Sequence, residues 1–212
     1  MQKVVLLGDS IRMFYQAKVK ELLGDGYEVW APEENCRFSY YALNSLRHWL
    51  PQFENPDIIH WNIGLWDLAI LYPEDGCFIS KAEYVRNMTR ILRELKKTGA
   101  KIIFATTTPV SDEKQFLKGP MPPANRNEDI IEYNKAVLKA FEHEDIEIND
   151  LHSLMYPNRD KYLRDDMVHP NEEGVALLGK AVADKIKKFE GFKNSVLVEY
   201  SEKTELEEKI IQ

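Results

Sequence analysis

The chain has 212 residues, enough for one domain with a sizeable buried core, and 44% of them are hydrophobic, which excludes a disordered chain. Its formal net charge of -7 argues against nucleic acid as the main partner. Two cysteines without metal-type spacing, no cluster of His, Cys and carboxylates, and no glycine-rich phosphate loop leave no metal or other cofactor to expect.

The N-terminus runs directly into "KVVLLGD" over 3–9, a nearly continuous apolar run of the kind found in parallel strands covered on both faces. It lacks the long apolar core of a secretory leader, and no apolar run in the chain is long enough to cross a bilayer. The expectation is a cytoplasmic chain without membrane insertion. The strand ends in Gly8-Asp9-Ser10, and a helix is predicted over 11–23. Two readings of that turn stand side by side. Asp9 and Ser10 are good helix caps, and Ser10 is equally a nucleophile presented at the carboxyl end of a strand.

A second strand is predicted over 27–32 and a helix over 39–50, separated by "ENCRFS". The third strand, 57–64, ends in "WNIGLWD", with Asn62, Gly64, Trp66 and Asp67 close together. Helix 81–98 repeats apolar residues at three- and four-residue spacing and closes on Lys, Lys and Gly99. Strand 101–109 follows, then the Pro-, Gly- and charge-rich loop 110–127, which reads either as a lid or substrate wall or as a surface loop. Helix 128–143, strand 146–150 and a last helix over 171–189 complete the series. His60 reads as a packed residue inside the third strand, His48 and His143 as surface residues of helices, and His152, at the end of the fifth strand, lacks a carboxylate partner at useful spacing. Residues 191–212 form a C-terminal extension expected to pack on the domain edge or to join a homodimer interface.

Strand and helix alternate throughout, so the crossovers make a parallel sheet between helix layers. The expected fold is α/β, three-layer α/β/α and flavodoxin-like, with five strands ordered 2-1-3-4-5. Ligands of such sheets bind beyond the carboxyl ends of the strands near the switch point, where Ser10 falls. Just before the last helix the chain reads "DDMVHPN", with Asp166 and His169 three residues apart. A turn at that spacing brings the carboxylate to one imidazole nitrogen and leaves the other as a base. Nucleophile, base and orienting carboxylate together make an acyl-transfer constellation.

With the Gly-Asp-Ser turn at one end and Asp-x-x-His at the other, the sequence resembles the SGNH/GDSL hydrolases, a family of esterases and lipases, over 1–190. The resemblance implies Ser10 as nucleophile, His169 as base, Asp166 as its partner, and a small-molecule ester as substrate. It further implies oxyanion or substrate-binding roles near Asp9, Arg37, Asn62, Gly64 and Trp66. The family's second block places a glycine where Arg37 stands, so the Arg37 N–H is a candidate donor and its side chain either borders the pocket or is a solvated loop residue. The third block places an asparagine where Trp66 stands. Asn62 then either supplies the missing amide or ties the backbone down while Trp66 lines an apolar wall. The implied reaction is cleavage of a small acyl ester, acetyl on a carbohydrate foremost. The alternatives are a lysophospholipase or thioesterase for longer chains, and a domain that binds a glycan or acyl ligand without turnover.

Overall fold

The computed structural model describes residues 1–72, 74–112 and 125–196. Five strands form one all-parallel sheet: β1 (Gln2–Gly8), β2 (Tyr27–Trp30), β3 (Ile58–Asn62), β4 (Lys101–Ala105) and β5 (Glu147–Asn149), in the order 2-1-3-4-5. Val4 to Gly8 run in register with Ile58 to Asn62, so the last residues of β1 and β3 end side by side. Val4 to Leu7 and Ile58, Ile59 and Trp61 are all buried, as the continuous apolar runs require of strands covered on both faces.

The helices are α1 (Ser10–Leu23), α2 (Ser39–Trp49), α3 (Lys81–Lys96), α4 (Asn127–Ala140), α5 (Leu151–Met155), α6 (Arg159–Tyr162) and α7 (Glu172–Lys187). Helices α1 and α7 pack on each other in one layer, and α2, α3 and α4 pack in sequence in the other. Among the described residues, no helix is long and apolar enough to cross a membrane.

Two details differ from the expectations. The fourth strand stops at Ala105 and not at 109, because Thr107 exchanges two hydrogen bonds with the Asn134 amide of α4 in place of a strand neighbour. Residues 151–162, over which the sequence pattern predicts no element, hold the two short helices α5 and α6. The first part of the C-terminal extension packs on the domain: Asn194 N–H and Lys193 Nζ both donate to the Asp57 carboxylate at 2.8 Å. Residues 113–124 and 197–212, on which the lid and the rest of the extension fall, lie outside the described residues.

Candidate active site

The site is built where β1 meets α1. A Cβ on Gly8 would lie 2.5 Å from Arg12 Cβ and 2.8 Å from Asn62 Oδ1, so only glycine lets the helix start this close to the strand. Asp9 caps α1, its Oδ1 accepting the Ile11 N–H at 3.0 Å. Burial pushes the Asp9 carboxyl up to about 6, against the opposing pull of the Ile11 N–H and of the charges on His169 and Arg12. Ser10 is the first residue of α1, and its N–H has no acceptor among the described residues. Its hydroxyl therefore sits at the positive end of a 14-residue helix.

Residues 163–170 bring the partners. Leu163 and Pro170 form an isolated antiparallel bridge, and the Arg164 N–H donates to the His169 carbonyl at 2.8 Å. Within this hairpin Asp166 Oδ1 accepts the N–H groups of Val168 and His169, at 3.0 and 2.8 Å. Met167 takes the left-handed conformation (φ 68°) that this tight turn demands. The second carboxylate oxygen lies 2.9 Å from His169 Nδ1, and His169 Nε2 lies 2.8 Å from Ser10 Oγ. A carboxylate at Nδ1 selects the tautomer in which Nδ1 carries the proton and Nε2 accepts from the serine hydroxyl. Partial burial works to raise the Asp166 carboxyl, yet the two N–H groups and the imidazole hold it below the usual carboxylate range. The pair remains open to water, with side-chain exposures of 47% for Asp166 and 29% for His169. Phe14, one turn after Ser10 on α1, stacks on the His169 ring with centroids 4.9 Å apart.

The loop between β2 and α2 is fastened to the same turn. The Cys36 N–H donates to the Gly8 carbonyl at 3.1 Å, and Cys36 Sγ accepts the Gly8 N–H at 3.3 Å. Arg12 lies fully buried beneath it. Its guanidinium donates to the carbonyls of Gly8, Pro32 and Glu34 and to Gln16 Oε1. Arg37 follows in the left-handed region (φ 51°), a conformation that favours the glycine of the family pattern. Its N–H donates to Asn35 Oδ1 at 2.7 Å, and its exposed guanidinium lies over the Tyr41 ring. The next helix, α2, gives its first N–H, that of Ser39, to the Asp67 carboxylate, while the Tyr40 N–H has no acceptor among the described residues.

The third strand contributes differently from its family pattern. Asn62 Oδ1 accepts from Tyr15 Oη at 2.6 Å, under Gly8 and on the α1 side of the sheet. The amide thus ties β3 to α1. Gly64 leaves no room for a side chain, since its Cβ would lie 2.0 Å from Thr107 Oγ1, and its N–H is among the groups that pull the Asp9 carboxyl back down against burial. Trp66 is 43% exposed at the turn. Asp67 anchors α2 by accepting both the N–H and, at 2.5 Å, the hydroxyl of Ser39. Burial, with the Asp9 charge adding to it, pushes the Asp67 carboxyl up to about 7 against the Ser39 hydrogen bonds.

Ser10, His169 and Asp166 thus come together from opposite ends of the chain, with Asp9 beside them as the cap of α1. The Arg37 N–H is taken by Asn35 Oδ1, whereas Asn62 is held by Tyr15 through its Oδ1, the other end of the amide from the N–H expected to donate. The sequence reading passed over Arg12, Phe14, Tyr15 and Asn35. The one signal for Phe14 is its place four residues after Ser10, hence on the same helix face. His60 is buried in β3 against Asn149, apart from this chemistry. Among the described residues no group of three His, Cys, Asp or Glu is placed to hold a metal.

Over residues 6–177 the chain matches the protein family described as the GDSL-like lipase/acylhydrolase family. Among solved structures, it is similar to a lipase/acylhydrolase from Enterococcus faecalis at 21% identity, covering 92% of this chain and 100% of that one, with TM-score 0.71. It is also similar to the acetyl xylan esterase AlAXEase at 18% identity, covering 87% and 99%, with TM-score 0.68. A carbohydrate esterase family 3 protein from Talaromyces cellulolyticus shares 19% identity over 89% and 98%, with TM-score 0.66. At these identities the likeness is one of fold. No curated protein matches the sequence.

Proposed function

The chain belongs to the GDSL-like lipase/acylhydrolase family, and from that premise we propose that it hydrolyses a small acyl ester through an acyl-enzyme on Ser10. The observation that carries this reading is the unbroken chain of hydrogen bonds from Ser10 Oγ through the His169 ring to Asp166. Ser10 attacks the acyl carbonyl as His169 Nε2 takes its proton, and Asp166 holds the ring and stabilises the imidazolium that forms. The developing oxyanion is met by the Ser10 N–H at the start of α1, where the helix dipole favours the negative charge. His169 then protonates the leaving alcohol, and water repeats the cycle to release the acid.

We read the acyl group as acetyl and the alcohol as a carbohydrate. Two of the similar structures are named for acetyl xylan and carbohydrate esters, which supports this reading. The exposed Trp66, Leu71, Tyr72 and Phe78, all in the loop after β3, favour a second reading, a lysophospholipase or thioesterase for longer acyl chains.

A fluorophosphonate probe is expected to label the wild-type protein and to leave Ser10→Ala unlabelled. Labelling that survives in Ser10→Ala would sink the mechanism, and no labelling with no turnover would favour a non-catalytic binding domain. A p-nitrophenyl ester series from acetate to decanoate is expected to favour acetate. A kcat/KM that climbs with chain length would establish the second reading instead.

A further inference from the structure

Ser10 and its two partners are carried by different elements, α1 and the 163–170 hairpin, which are 159 residues apart in sequence where they meet at the Ser10–His169 bond. That bond alone does not fix the imidazole. The ring is 29% exposed and its carboxylate partner 47%, so water competes for both of its hydrogen bonds. What lies against the ring face is Phe14, at a centroid distance of 4.9 Å and an interplanar angle of 29°. Above Phe14 in turn is the Arg164 guanidinium, 5.4 Å from the ring centre. Arg164 belongs to the same hairpin as His169, and its N–H holds the His169 carbonyl.

Resting on the hydrolase reading above, we propose that Phe14 and Arg164 are positioning residues that dock the hairpin on α1 and set the plane of the His169 ring over Ser10. Phe14 and Ser10 share one face of α1, one turn apart, so the helix that presents the hydroxyl also presents the surface that orients its base. Stacked aromatic rings have a preferred offset, and a guanidinium over a ring adds attraction without any need for burial. The hairpin thus reaches Phe14 with two side chains, the ring of His169 and the cation of Arg164. Neither Phe14 nor Arg164 takes part in proton transfer. Their effect is on how often Nε2 faces the hydroxyl, and small misplacements of a catalytic group are costly.

The test is steady-state hydrolysis of p-nitrophenyl acetate, with rates per active site counted by fluorophosphonate titration. Phe14→Ala is expected to lower kcat about tenfold with KM within about twofold, the pattern of a group that acts through another and not on the substrate. Phe14→Tyr and Phe14→Trp keep a ring and are expected to restore kcat, whereas Phe14→Leu is not. Arg164→Ala is expected to lower kcat about threefold and to add nothing in the Phe14→Ala background, because its effect runs through that ring. A kcat for Phe14→Ala within twofold of wild type, a change confined to KM, or full rescue by leucine would each overturn the role of Phe14. Full multiplication of the two single effects would overturn that of Arg164. If wild-type protein shows no turnover that Ser10→Ala abolishes, the hydrolase reading falls and this inference with it. If that turnover is present and Phe14→Ala is unaffected, the inference falls alone.

Discussion

Arg37 occupies a backbone conformation that suits glycine, and its N–H is engaged by Asn35 Oδ1. A side chain in the left-handed region costs on the order of 1–2 kcal/mol, part of which glycine returns as entropy of the unfolded chain. Arg37→Gly is therefore expected to stabilise the protein by up to about 1 kcal/mol, raising Tm by about 2–4 °C in a chain of this size. A calorimetric or CD melt checks it, and a lowered Tm would mean that the guanidinium over Tyr41 contributes more than the strain costs. At this scale the meeting of Ser10, Asp166 and His169 was legible, because the two motifs that carry them are short, contiguous and set beside strand and helix boundaries. The fate of the Arg37 N–H and of the Asn62 amide was not. Each depends on a side-chain partner, Asn35 or Tyr15, whose direction no periodicity encodes.

Arg12 decides whether one element seats on another. It is fully buried, no carboxylate lies within ion-pair distance of it among the described residues, and its donors go to main-chain carbonyls on the β2–α2 loop and at the end of β1. Arg12→Met would bury the Pro32 and Glu34 carbonyls without those donors, and a buried polar group left unpaired costs about 1–3 kcal/mol. The variant is expected to lose about 3 kcal/mol or more in urea unfolding, seen as a lower midpoint with an unchanged m-value. Lysine at the same position should recover part of that loss, since it reaches fewer carbonyls than the guanidinium fork. A midpoint equal to wild type for Arg12→Met would show that the loop is held by Cys36 alone. The strands and long helices were legible from apolar runs and three- to four-residue spacing. Helices α5 and α6 were not, since five and four residues are too few to display a period. The end of β4 was misread for a related reason: "TTTP" favours extended backbone wherever its hydrogen bonds go, and here the Asn134 side chain takes them.

Over the whole molecule, the pH dependence of stability turns on two buried carboxyls that do not behave like the surface ones. Asp9 and Asp67 are raised by burial to about 6 and about 7, from 3.8. In the unfolded chain both ionise near the ordinary value, so between about pH 4 and pH 7 the native state binds more protons than the unfolded one. Stability then falls as pH rises through that window, with the Asp9 contribution exhausted near 6 and the Asp67 contribution near 7. Asp57, Asp112, Asp150 and Asp166 are lowered in the fold and act with the opposite sign, adding stability as pH rises towards 4. His60, lowered by burial to about 3, and His152, lowered likewise, stay neutral in the fold while the unfolded chain protonates below about 6.5. They add stability as pH rises through the same window and offset part of the fall. The expected profile of Tm climbs from strongly acidic pH to about 4 and declines only gently from there to neutrality. Asp67→Asn cannot ionise and keeps one oxygen to accept from Ser39, so it should remove a downward slope over the whole window from about pH 4 to 7 while leaving the acidic limb unchanged. Thermal melts of both proteins from pH 3 to 8 measure this directly, and parallel curves above pH 5 would show that Asp67 is ionised throughout. The same carboxyl fixes the first N–H of α2, so on the proposed hydrolase reading the flattened stability curve should come with an altered hydrolysis rate, whereas a surface carboxylate removed for comparison, Asp184→Asn, should change neither.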